Sequence, residues 1–533
     1  MTSPTTVPDA RCSRLHWALL AVITLLGGLN RIMLAVERPL WYDEAFSVSN
    51  SQTTSYADLL RWKSEDPNHP PLSFLLMKGS GAVLGTWDAW AVRLIPVIAG
   101  VLCIPSAFFL GKAVASPKLG LWAAAFAAVD PLLVNQSAQA RMFSYLCLGV
   151  VLALVFAVMT VKTVFSLKYC AGLGLILGLS LWNNQLALVG CCAVAATFAF
   201  SLIQICFNRS GRPNFVRACW GTGIVFFTAG LIGLPAILDI LSKRLGQAGS
   251  AAPPSFAGIM SEIFHSLAAL EPIPYAWILV FVLAFAGILW LWWRQGAVVI
   301  PLVALGAFSF VFAVLLRQRH HFFAARYLTP LLPVVWIGLA TFPALVRPRI
   351  VALAFQGLLS ALLLFHALHS VQLTTAWKTN YEYLVSQQVA ELRDKIGPGD
   401  RVVFARANCI VFGRIYNLPI DSDLQNRLLP DATVSPLKKG ELRNSSITTW
   451  LIAARVKRDE QVDQSRECLE KLAGAYGVKV KPKQVRRHLK RFHFTAVRMN
   501  AKRIDYSSKD LRALREATRR KPEEPAESPK VSK

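Results

Sequence analysis

Two adjacent carboxylates stand directly after the first long apolar segment of the chain. Asp43 and Glu44 follow Trp41 and Tyr42, and the apolar segment before them runs from residue 17 to residue 36. A carboxylate acts as a general base when it lies within hydrogen-bond reach of the proton that it removes. Acids beside aromatic residues also occur incidentally in the aromatic belt of a membrane protein. The segment is therefore either a base for a hydroxyl acceptor or part of an interfacial belt.

Charged and polar side chains that could line a substrate site occur in several further segments. The prolines around His69 fix the backbone, so this imidazole is held in a defined place. Ionisable side chains near membrane depth are costly and usually face a cavity. The other candidates of this kind are Asp66, Arg93, Asp130, Gln139, Arg141, Arg319 and Arg326. Together with the carboxylates, they suit a reaction between a hydroxyl acceptor and a phosphate-linked donor.

Long apolar blocks determine how these residues are positioned. The chain has 533 residues, 54% of them hydrophobic, and a mean hydropathy of +0.43. A spanning helix needs about 20 apolar residues. Blocks of that kind lie at roughly 17–36, 91–111, 119–136, 142–161, 169–187, 188–206, 218–240, 275–293, 297–316, 328–346 and 350–368. The sequence predicts a mainly α fold, a polytopic membrane bundle of about 11 spanning helices with amphipathic helices in the first outer loop.

The positive charges fit this count. With the N-terminus in the cytoplasm, every cytoplasmic turn carries Lys or Arg, as the positive-inside rule requires. An odd number of spans then places everything after residue 370 outside the cytoplasm. Much of the net charge of +26 has this origin. No recognised nucleic-acid-binding motif accompanies the charge, so no nucleic-acid partner is expected.

One outer loop departs from the charge rule. Residues 317–326, Arg-Gln-Arg-His-His-Phe-Phe-Ala-Ala-Arg, are basic on the non-cytoplasmic side. Such a cluster indicates an anionic ligand, and phosphate is a natural candidate. The alternative is a loop that only contacts lipid headgroups.

The composition changes after residue 370. Alternating helices and strands favour a small α/β domain there. Helices are predicted at 381–395 and 460–475, and strands at 402–404, 448–454 and 492–499.

Three parts of the chain are therefore expected. They are a membrane domain over 1–370, an extracytoplasmic α/β domain over 371–500 and a basic, disordered tail over 501–533. If the second part lies outside the cytoplasm, Cys409 and Cys468 could form a disulfide.

Several short motifs follow one another in a fixed order along the chain. They are Tyr42-Asp43-Glu44, His69-Pro70-Pro71-Leu72, Ala91-Val92-Arg93-Leu94, Ser137-Ala138-Gln139-Ala140-Arg141-Met142-Phe143-Ser144-Tyr145, Arg326-Tyr327-Leu328 and Gly399-Asp400-Arg401-Val402-Val403. This ordered set resembles the GT-C membrane glycosyltransferases. The most similar branch groups dolichyl-phosphate-mannose protein mannosyltransferases, aminoarabinose transferases and the RgtA/B/C/D-like bacterial enzymes.

The resemblance implies transfer of a sugar from a polyprenyl phosphate on the periplasmic or luminal side. Asp43 would be the general base that takes the proton of the acceptor hydroxyl, and the anomeric carbon would be attacked directly, with inversion. Glu44, His69 and Arg93 would fix or tune that base.

The same resemblance implies a phosphate-binding role for the basic residues. Arg141, Arg319 and Arg326 would hold the departing lipid phosphate by charge-assisted hydrogen bonds. The remaining substrate-binding candidates from these motifs are Tyr42, Asp66, Asp130, Gln139, Tyr145 and Tyr327.

Two positions depart from the family pattern. Gln139 stands where the family has a glutamate. If that acid binds a metal or the acceptor in relatives, the role is lost here or moved to Asp130. No cofactor is certain for this reason, and a divalent cation stays an open expectation. Residues 182–185, Trp-Asn-Asn-Gln, replace the family's Thr-His-Tyr-like element, which indicates a different acceptor.

Two other functions use the same residues. A transporter or flippase for a lipid-linked anionic solute would need the basic cluster and intramembrane polar groups. A non-catalytic relative would bind a lipid-linked sugar without turnover. As a transferase, the protein would have a polyprenyl-phosphate-linked sugar, membrane lipid, and a glycan, lipid or protein acceptor as partners. The RgtA-like resemblance favours the bacterial inner membrane, with the active site facing the periplasm or the cell exterior.

Overall fold

The computed structural model describes most of the first 405 residues and several segments beyond them. The described residues are 12–62, 69–207, 212–245, 255, 276–319, 324–345, 349–376, 381–405, 414–415, 418–428, 437–438, 441–442, 445, 447–454, 459–478, 494–499 and 504–509. Asp66 and Cys409 lie outside these ranges, and so does the tail beyond residue 509. The expectations for them are not addressed by the structure.

The chain divides into two compact units. One unit contains Met1–Glu37 and Asn50–Thr374, and the other contains Arg38–Ser49 and Thr375–Lys533. The short Arg38–Ser49 segment, which carries Asp43 and Glu44, thus belongs with the C-terminal part of the chain.

The first unit is helical throughout its described residues. Its elements are α1 (Arg14–Glu37), α2 (Tyr42–Thr53, with residues in both units), α3 (Tyr56–Leu60), α4 (Leu72–Leu84), α5 (Ala89–Val114), α6 (Pro117–Val129), α7 (Pro131–Ser137), α8 (Phe143–Lys162), α9 (Leu167–Asn183), α10 (Ala187–Phe207), α11 (Arg212–Leu245), α12 (Ala276–Gln295), α13 (Ile300–Arg319), a 3-10 segment (Ala325–Leu331), α14 (Leu332–Leu345) and α15 (Arg349–Ala376). Each apolar block predicted from the sequence coincides with helical structure.

The protein is an integral membrane protein, as these helices indicate. Within the described residues, eight helices are long and apolar enough to cross a membrane, or nine if the bent pair α6 and α7 counts as one span. The bend between α6 and α7 separates eight from nine, and two further features separate nine from the predicted number of about 11. Helix α9 has 17 residues, and residues 278–315 form one apolar stretch of 38 residues. The count of about 11 spans stays a prediction.

The third apolar block is interrupted at Asp130. The sequence predicts one span over 119–136, but α6 and α7 meet there at 59°. The carboxylate of Asp130 accepts a hydrogen bond from the backbone N–H of Leu133 at 2.8 Å. Pro131 occupies the first helical position, where its missing N–H costs nothing. An acidic N-cap followed by proline starts a new helix, which is the physical reason for the break.

Small and aromatic residues build the core of the first unit around α5, α6, α8 and α14. Phe126, Phe143 and Trp336 are almost completely buried in one cluster. Large apolar side chains such as Leu25 and Phe285 are instead more than 60% exposed. Exposed apolar surface of this kind is what lipid tails cover in a membrane helix.

The second unit contains a four-stranded sheet with the order β1-β2-β3-β4. Its strands are β1 (Arg401–Phe404), β2 (Thr449–Ala454), β3 (Phe494–Met499) and β4 (Ile504–Lys509). Strands β1 and β2 are parallel, and the other two pairs are antiparallel. The helices of this unit are α16 (Tyr381–Leu392), α17 (Ser422–Leu428) and α18 (Asp459–Tyr476).

Helix α18 covers one face of this sheet. Leu469, Leu472 and Tyr476 pack with Val403 and Leu451 in a single apolar cluster. The mainly α membrane fold with a small α/β part is therefore confirmed.

One strand departs from the sequence prediction. Residues 504–509 lie within the segment expected to be a disordered tail, but they form β4 in full register with β3. The open edge of β3 supplies the hydrogen-bond partners that a polar strand lacks by itself.

Candidate active site

The turn between α7 and α8 carries two of the predicted substrate-binding residues. Gln139 and Arg141 are both buried there, at 5% and 6% exposure. The side-chain amide of Gln139 donates to Asn135 Oδ1 at 3.2 Å, and the backbone N–H of Arg141 donates to the backbone carbonyl of Gln139 at 2.8 Å. A guanidinium held in a buried turn is a strong ligand for an anion because little water competes with it.

The basic 3-10 segment lies against this turn. The guanidinium carbon of Arg326 is 5.7 Å from the ring centroid of Phe143 and 5.7 Å from that of Tyr327. The two rings are themselves 6.4 Å apart. The structure thus brings together two motifs that are far apart in sequence, residues 137–145 and residues 326–328.

The beginning of α8 adds a positive electrostatic contribution to the same region. Met142 is the N-cap residue and makes no side-chain cap. The first N–H groups of a helix have no intrahelical acceptor, and the helix dipole makes this end attractive to anions. The turn, the helix end and the two arginines can therefore hold a phosphate.

Several buried polar atoms around the turn have no hydrogen-bond partner within the described part of the chain. They are Gln136 Oε1, Ser144 Oγ, Tyr145 Oη and Asn183 Oδ1. A buried polar group without a partner is costly unless water or a ligand satisfies it. Ser144 was not singled out from the sequence, although a polar residue at the start of an apolar helix is a usable signal.

Asn183, at the end of α9, fixes the turn from the other side. Its amide nitrogen donates to the Met142 carbonyl at 2.9 Å. The sequence singled out residues 182–185 only as a departure from the family pattern. The structure gives Asn183 a definite contact with the turn that carries Arg141.

Asp130 and Arg93 hold helices in the first unit. One carboxylate oxygen of Asp130 caps α7, and the other accepts from the indole Nε1 of Trp336 at 2.9 Å. Arg93 is fully buried and donates from Nη1 to the Ala35 carbonyl, near the end of α1, at 2.8 Å. Both residues were predicted to bind substrate, and the contacts described for both are with protein groups.

The segment Trp41–Glu44 forms the first turn of α2. Glu44 is fully buried, and its Oε2 accepts from the backbone N–H of Trp41 at 3.2 Å. This contact is half of a capping box, which satisfies a free N–H at the start of a helix. Asp43 and Tyr42 lie in the same turn and are half-buried. Glu44 therefore fixes the turn that presents Asp43.

The other end of α2 is held within the first unit. Lys78 Nζ donates to the carbonyls of Ser51 and Gln52 at 3.0 and 3.2 Å. A cation at a helix C-terminus is favourable because it opposes the helix dipole. This explains the single lysine in the apolar helix α4, whose 13 residues are too few to cross a membrane.

For the remaining predicted site residues, the structure gives a position in the fold. His69 is half-buried and precedes Pro70 and α4. Tyr145 lies in the first turn of α8. Arg319 is the last residue of α13, and its side chain lies outside the description.

A metal site was left open by the sequence. Among the described residues, no group of three or more His, Cys, Asp or Glu side chains could hold a metal ion. Gln139 provides an amide in place of the family's carboxylate, which is a weaker ligand for a divalent cation. The described residues thus do not fit a metal site, and no step is derived through one.

Comparison with known protein families gives one match. The family described as dolichyl-phosphate-mannose-protein mannosyltransferase matches residues 68–235. No curated protein sequence matches the chain significantly.

Solved structures of two proteins share the fold. ArnT from Cupriavidus metallidurans in the apo state aligns with a TM-score of 0.53 at 11% identity, over 82% of this chain and 92% of that one. The Archaeoglobus fulgidus oligosaccharyltransferase with Zn and sulfate aligns with a TM-score of 0.52 at 12% identity, over 92% and 73%. The same archaeal protein, AglB, in complex with an inhibitory peptide and a dolichol-phosphate, aligns with a TM-score of 0.51 at 11% identity, over 93% and 74%.

The family match is limited to residues 68–235, and the structural similarities show that this chain shares its fold with ArnT and with the archaeal oligosaccharyltransferase.

Proposed function

We propose that the protein transfers a sugar from a polyprenyl-phosphate-linked donor to a hydroxyl acceptor on the non-cytoplasmic face of the membrane. The observation that carries this proposal is the contact of Arg326 with Phe143, the first residue of α8, directly after the buried turn that contains Arg141. Two guanidinium groups and a helix N-terminus bind a phosphate in a region of low dielectric, where charge interactions are strong. The dolichol-phosphate complex of the structurally similar AglB supports the same ligand class.

Asp43 acts as the general base in this proposal. Its carboxylate takes the proton of the acceptor hydroxyl while the oxygen attacks the anomeric carbon of the sugar. The bond from that carbon to the phosphate oxygen breaks, and the configuration at the anomeric carbon inverts. Glu44 supports the base by fixing the first turn of α2.

The departing polyprenyl phosphate gains negative charge as this bond breaks. Arg141 and Arg326 stabilise that charge, and Arg319 assists them. Groups aimed at charge that develops in the transition state lower the barrier, whereas equal binding of the ground state does not. His69, Asp66 and the motif tyrosines Tyr42, Tyr145 and Tyr327 contact the sugar or the acceptor.

The charge pattern of the sequence supports the location of the reaction. By the positive-inside rule, the loops that carry these residues are expected on the non-cytoplasmic side. We assign the protein to the bacterial inner membrane, with the active site facing the periplasm or the cell exterior. The acceptor is a glycan, a lipid or a protein of the cell envelope.

A purified-component assay tests the proposal. The protein is reconstituted in liposomes with a panel of labelled polyprenyl-phosphate sugars and a cell-envelope extract. We expect one donor to give a labelled envelope product. Mass spectrometry of envelope glycans from cells with and without the protein identifies the acceptor. Absence of product from every donor, together with identical glycans in both strains, would rule the proposal out.

A further inference from the structure

The carbonyl groups at the end of α6 are held by a buried arginine from α1. Arg31 is fully buried, and its Nη1 donates to the carbonyls of Gly27 and Ala128 at 2.8 Å each. Its Nη2 donates to the carbonyl of Ala127 at 2.8 Å. The last carbonyls of a helix lack intrahelical donors and carry partial negative charge, so a guanidinium satisfies both needs.

The same side chain also reaches the helix beyond the bend. Arg31 Nε donates to Ser137 Oγ at 3.4 Å, and that hydroxyl donates to the Leu133 carbonyl at 2.6 Å. Arg31 thus contacts the last residues of α6 and the last residue of α7, on both sides of the 59° bend. A lysine ammonium cannot reproduce this planar set of donors.

Asp130 holds the bend at its vertex. Its carboxylate caps α7 and accepts from Trp336 on α14, as described above. The bend is therefore fixed by polar contacts from α1 on one side and from α14 on the other. A buried charge is expensive, and replacing it with apolar groups is often neutral or stabilising. This cost indicates that the buried arginine serves geometry rather than stability alone.

Two glycines lie where a side chain would crowd the residues around the bend. A Cβ on Gly100 of α5 would overlap the Ser137 side chain and lie 3.2 Å from Arg31 Nε. A Cβ on Gly27 would lie 3.0 Å from the Ala128 Cβ. Helices α1 and α5 approach the bend closely only because both positions lack a side chain.

We propose that Arg31 is a positioning residue for the phosphate site. By clamping α7 through Ser137, it sets the turn that follows α7 and so the placement of Arg141, four residues further on. This inference rests on the proposed role of Arg141 as a ligand of the lipid phosphate. Helix α7 has seven residues, so a change of angle at the bend moves the turn directly.

A double-mutant cycle tests the functional part of the proposal. Binding of undecaprenyl phosphate to the purified full-length protein is measured for the wild type, Arg31→Lys, Arg141→Gln and the double variant. We expect Arg31→Lys to weaken binding about tenfold in the wild-type background and to have little further effect beside Arg141→Gln. Arg14→Lys, at the exposed start of α1, is the matched control and should bind as the wild type does. An equal loss in both backgrounds would mean that Arg31 only stabilises the bundle, and would overturn the proposal.

Hydrogen exchange tests the structural part independently of any ligand. Arg31→Lys should speed amide exchange in residues 127–142 and leave the exchange rates of α10 unchanged, because the contacts of Arg31 with α6 and α7 are local. Ser137→Ala removes the contact of Arg31 with α7 and the hydrogen bond from Ser137 to the Leu133 carbonyl, and it keeps the contacts of Arg31 with α6. It is the variant to measure if Arg31→Lys does not fold. Exchange as slow as in the wild type for both variants would overturn the proposal. Failure of the wild type to bind undecaprenyl phosphate would instead count against the proposed function, and the exchange result would still decide the role of Arg31.

Discussion

The Arg326 guanidinium carbon lies 5.7 Å from the ring centroid of Phe143, although about half of the membrane domain separates the two residues in sequence. Phe143 is the first residue of α8 and follows the turn that carries Arg141. The contact therefore joins the two basic elements expected to bind the lipid phosphate. It orients the guanidinium through its face.

Removal of the Phe143 ring should weaken binding of the polyprenyl-phosphate donor, because this ring contacts the Arg326 guanidinium. We expect Phe143→Leu to raise the KM for the polyprenyl-phosphate donor several-fold, because a cation–π contact is worth about 0.5–2 kcal/mol. Steady-state kinetics with varied donor concentration measures this change. Phe198→Leu, which changes a buried aromatic residue of α10, is the matched control, so a similar rise in KM for it would contradict a role specific to Phe143.

Loss of the Asn183 contact should loosen the same turn. Asn183→Ala removes one of the two hydrogen bonds to the Met142 carbonyl, which keeps the backbone N–H of Leu146 as its donor, at a cost of about 0.5–1.5 kcal/mol. We expect a lower melting temperature together with a lower kcat/KM. Thr197→Ala, a buried polar substitution elsewhere in the bundle, is the comparison. If both variants lose stability but keep wild-type kcat/KM, the turn is not sensitive to Asn183.

Substitutions of Asp130 and Trp336 should have non-additive effects on the free energy of unfolding, because the two side chains share a hydrogen bond. Asp130→Asn leaves one acceptor oxygen for two donors, and Trp336→Phe removes the indole N–H. Each should destabilise the protein by roughly 1–3 kcal/mol. The double variant should cost less than the sum, because both changes break the same hydrogen bond. Thermal unfolding in detergent measures the three values, and strict additivity would show that the bond contributes nothing.

The thiol of Cys468 should be unreactive in the folded protein. Burial raises its pKa from 9.0 to about 11, and its Sγ lies 3.7 Å from the Ala405 carbonyl. Because the folded pKa is raised, the thiol favours folding below pH 9 and this contribution is lost as the pH rises towards 11. We expect slow alkylation by iodoacetamide at pH 8 and rapid alkylation after denaturation. Peptide mass spectrometry reads out both, and fast labelling of the native protein would contradict this.

Cys468 also bears on the disulfide considered from the sequence. It is a free thiol in the structure. Its suggested partner, Cys409, lies outside the described residues, so that pairing stays a prediction.

Apolar periodicity predicted the fold class well because a membrane helix is defined by local composition. Each predicted block contains a helix, and the predicted strands at 402–404 and 448–454 coincide with β1 and β2. The break at Asp130 was missed, although Asp-Pro is a local signal for a new helix start. Hydropathy outweighed that signal because Asp130 is the only charged residue in the block.

Long-range contacts explain most of what the sequence could not predict. In the sequence, Arg31 is a single charged residue within an apolar segment, and nothing local indicates its partners. Its contacts with α6 and α7 form only in the folded chain. Lys78 reads as an interruption of a short apolar block, yet it caps α2 from α4. Strand β4 exists because β3 offers an open edge. Such roles depend on pairing between distant segments, which composition and periodicity do not encode.

The central claim is that Asp43 is the base of a sugar transfer. Transfer from the labelled polyprenyl-phosphate sugar that serves as donor should be measured for the wild type, Asp43→Asn and Asp58→Asn, with binding of undecaprenyl phosphate determined in parallel. Asp58 is another acid between α1 and α4. Its described contacts are both with Ser55, the N-cap residue of α3. A general base contributes about 10²- to 10⁴-fold to the rate, so Asp43→Asn should lose transfer by that factor and keep lipid binding, while Asp58→Asn stays active. Full transfer by Asp43→Asn would contradict the account.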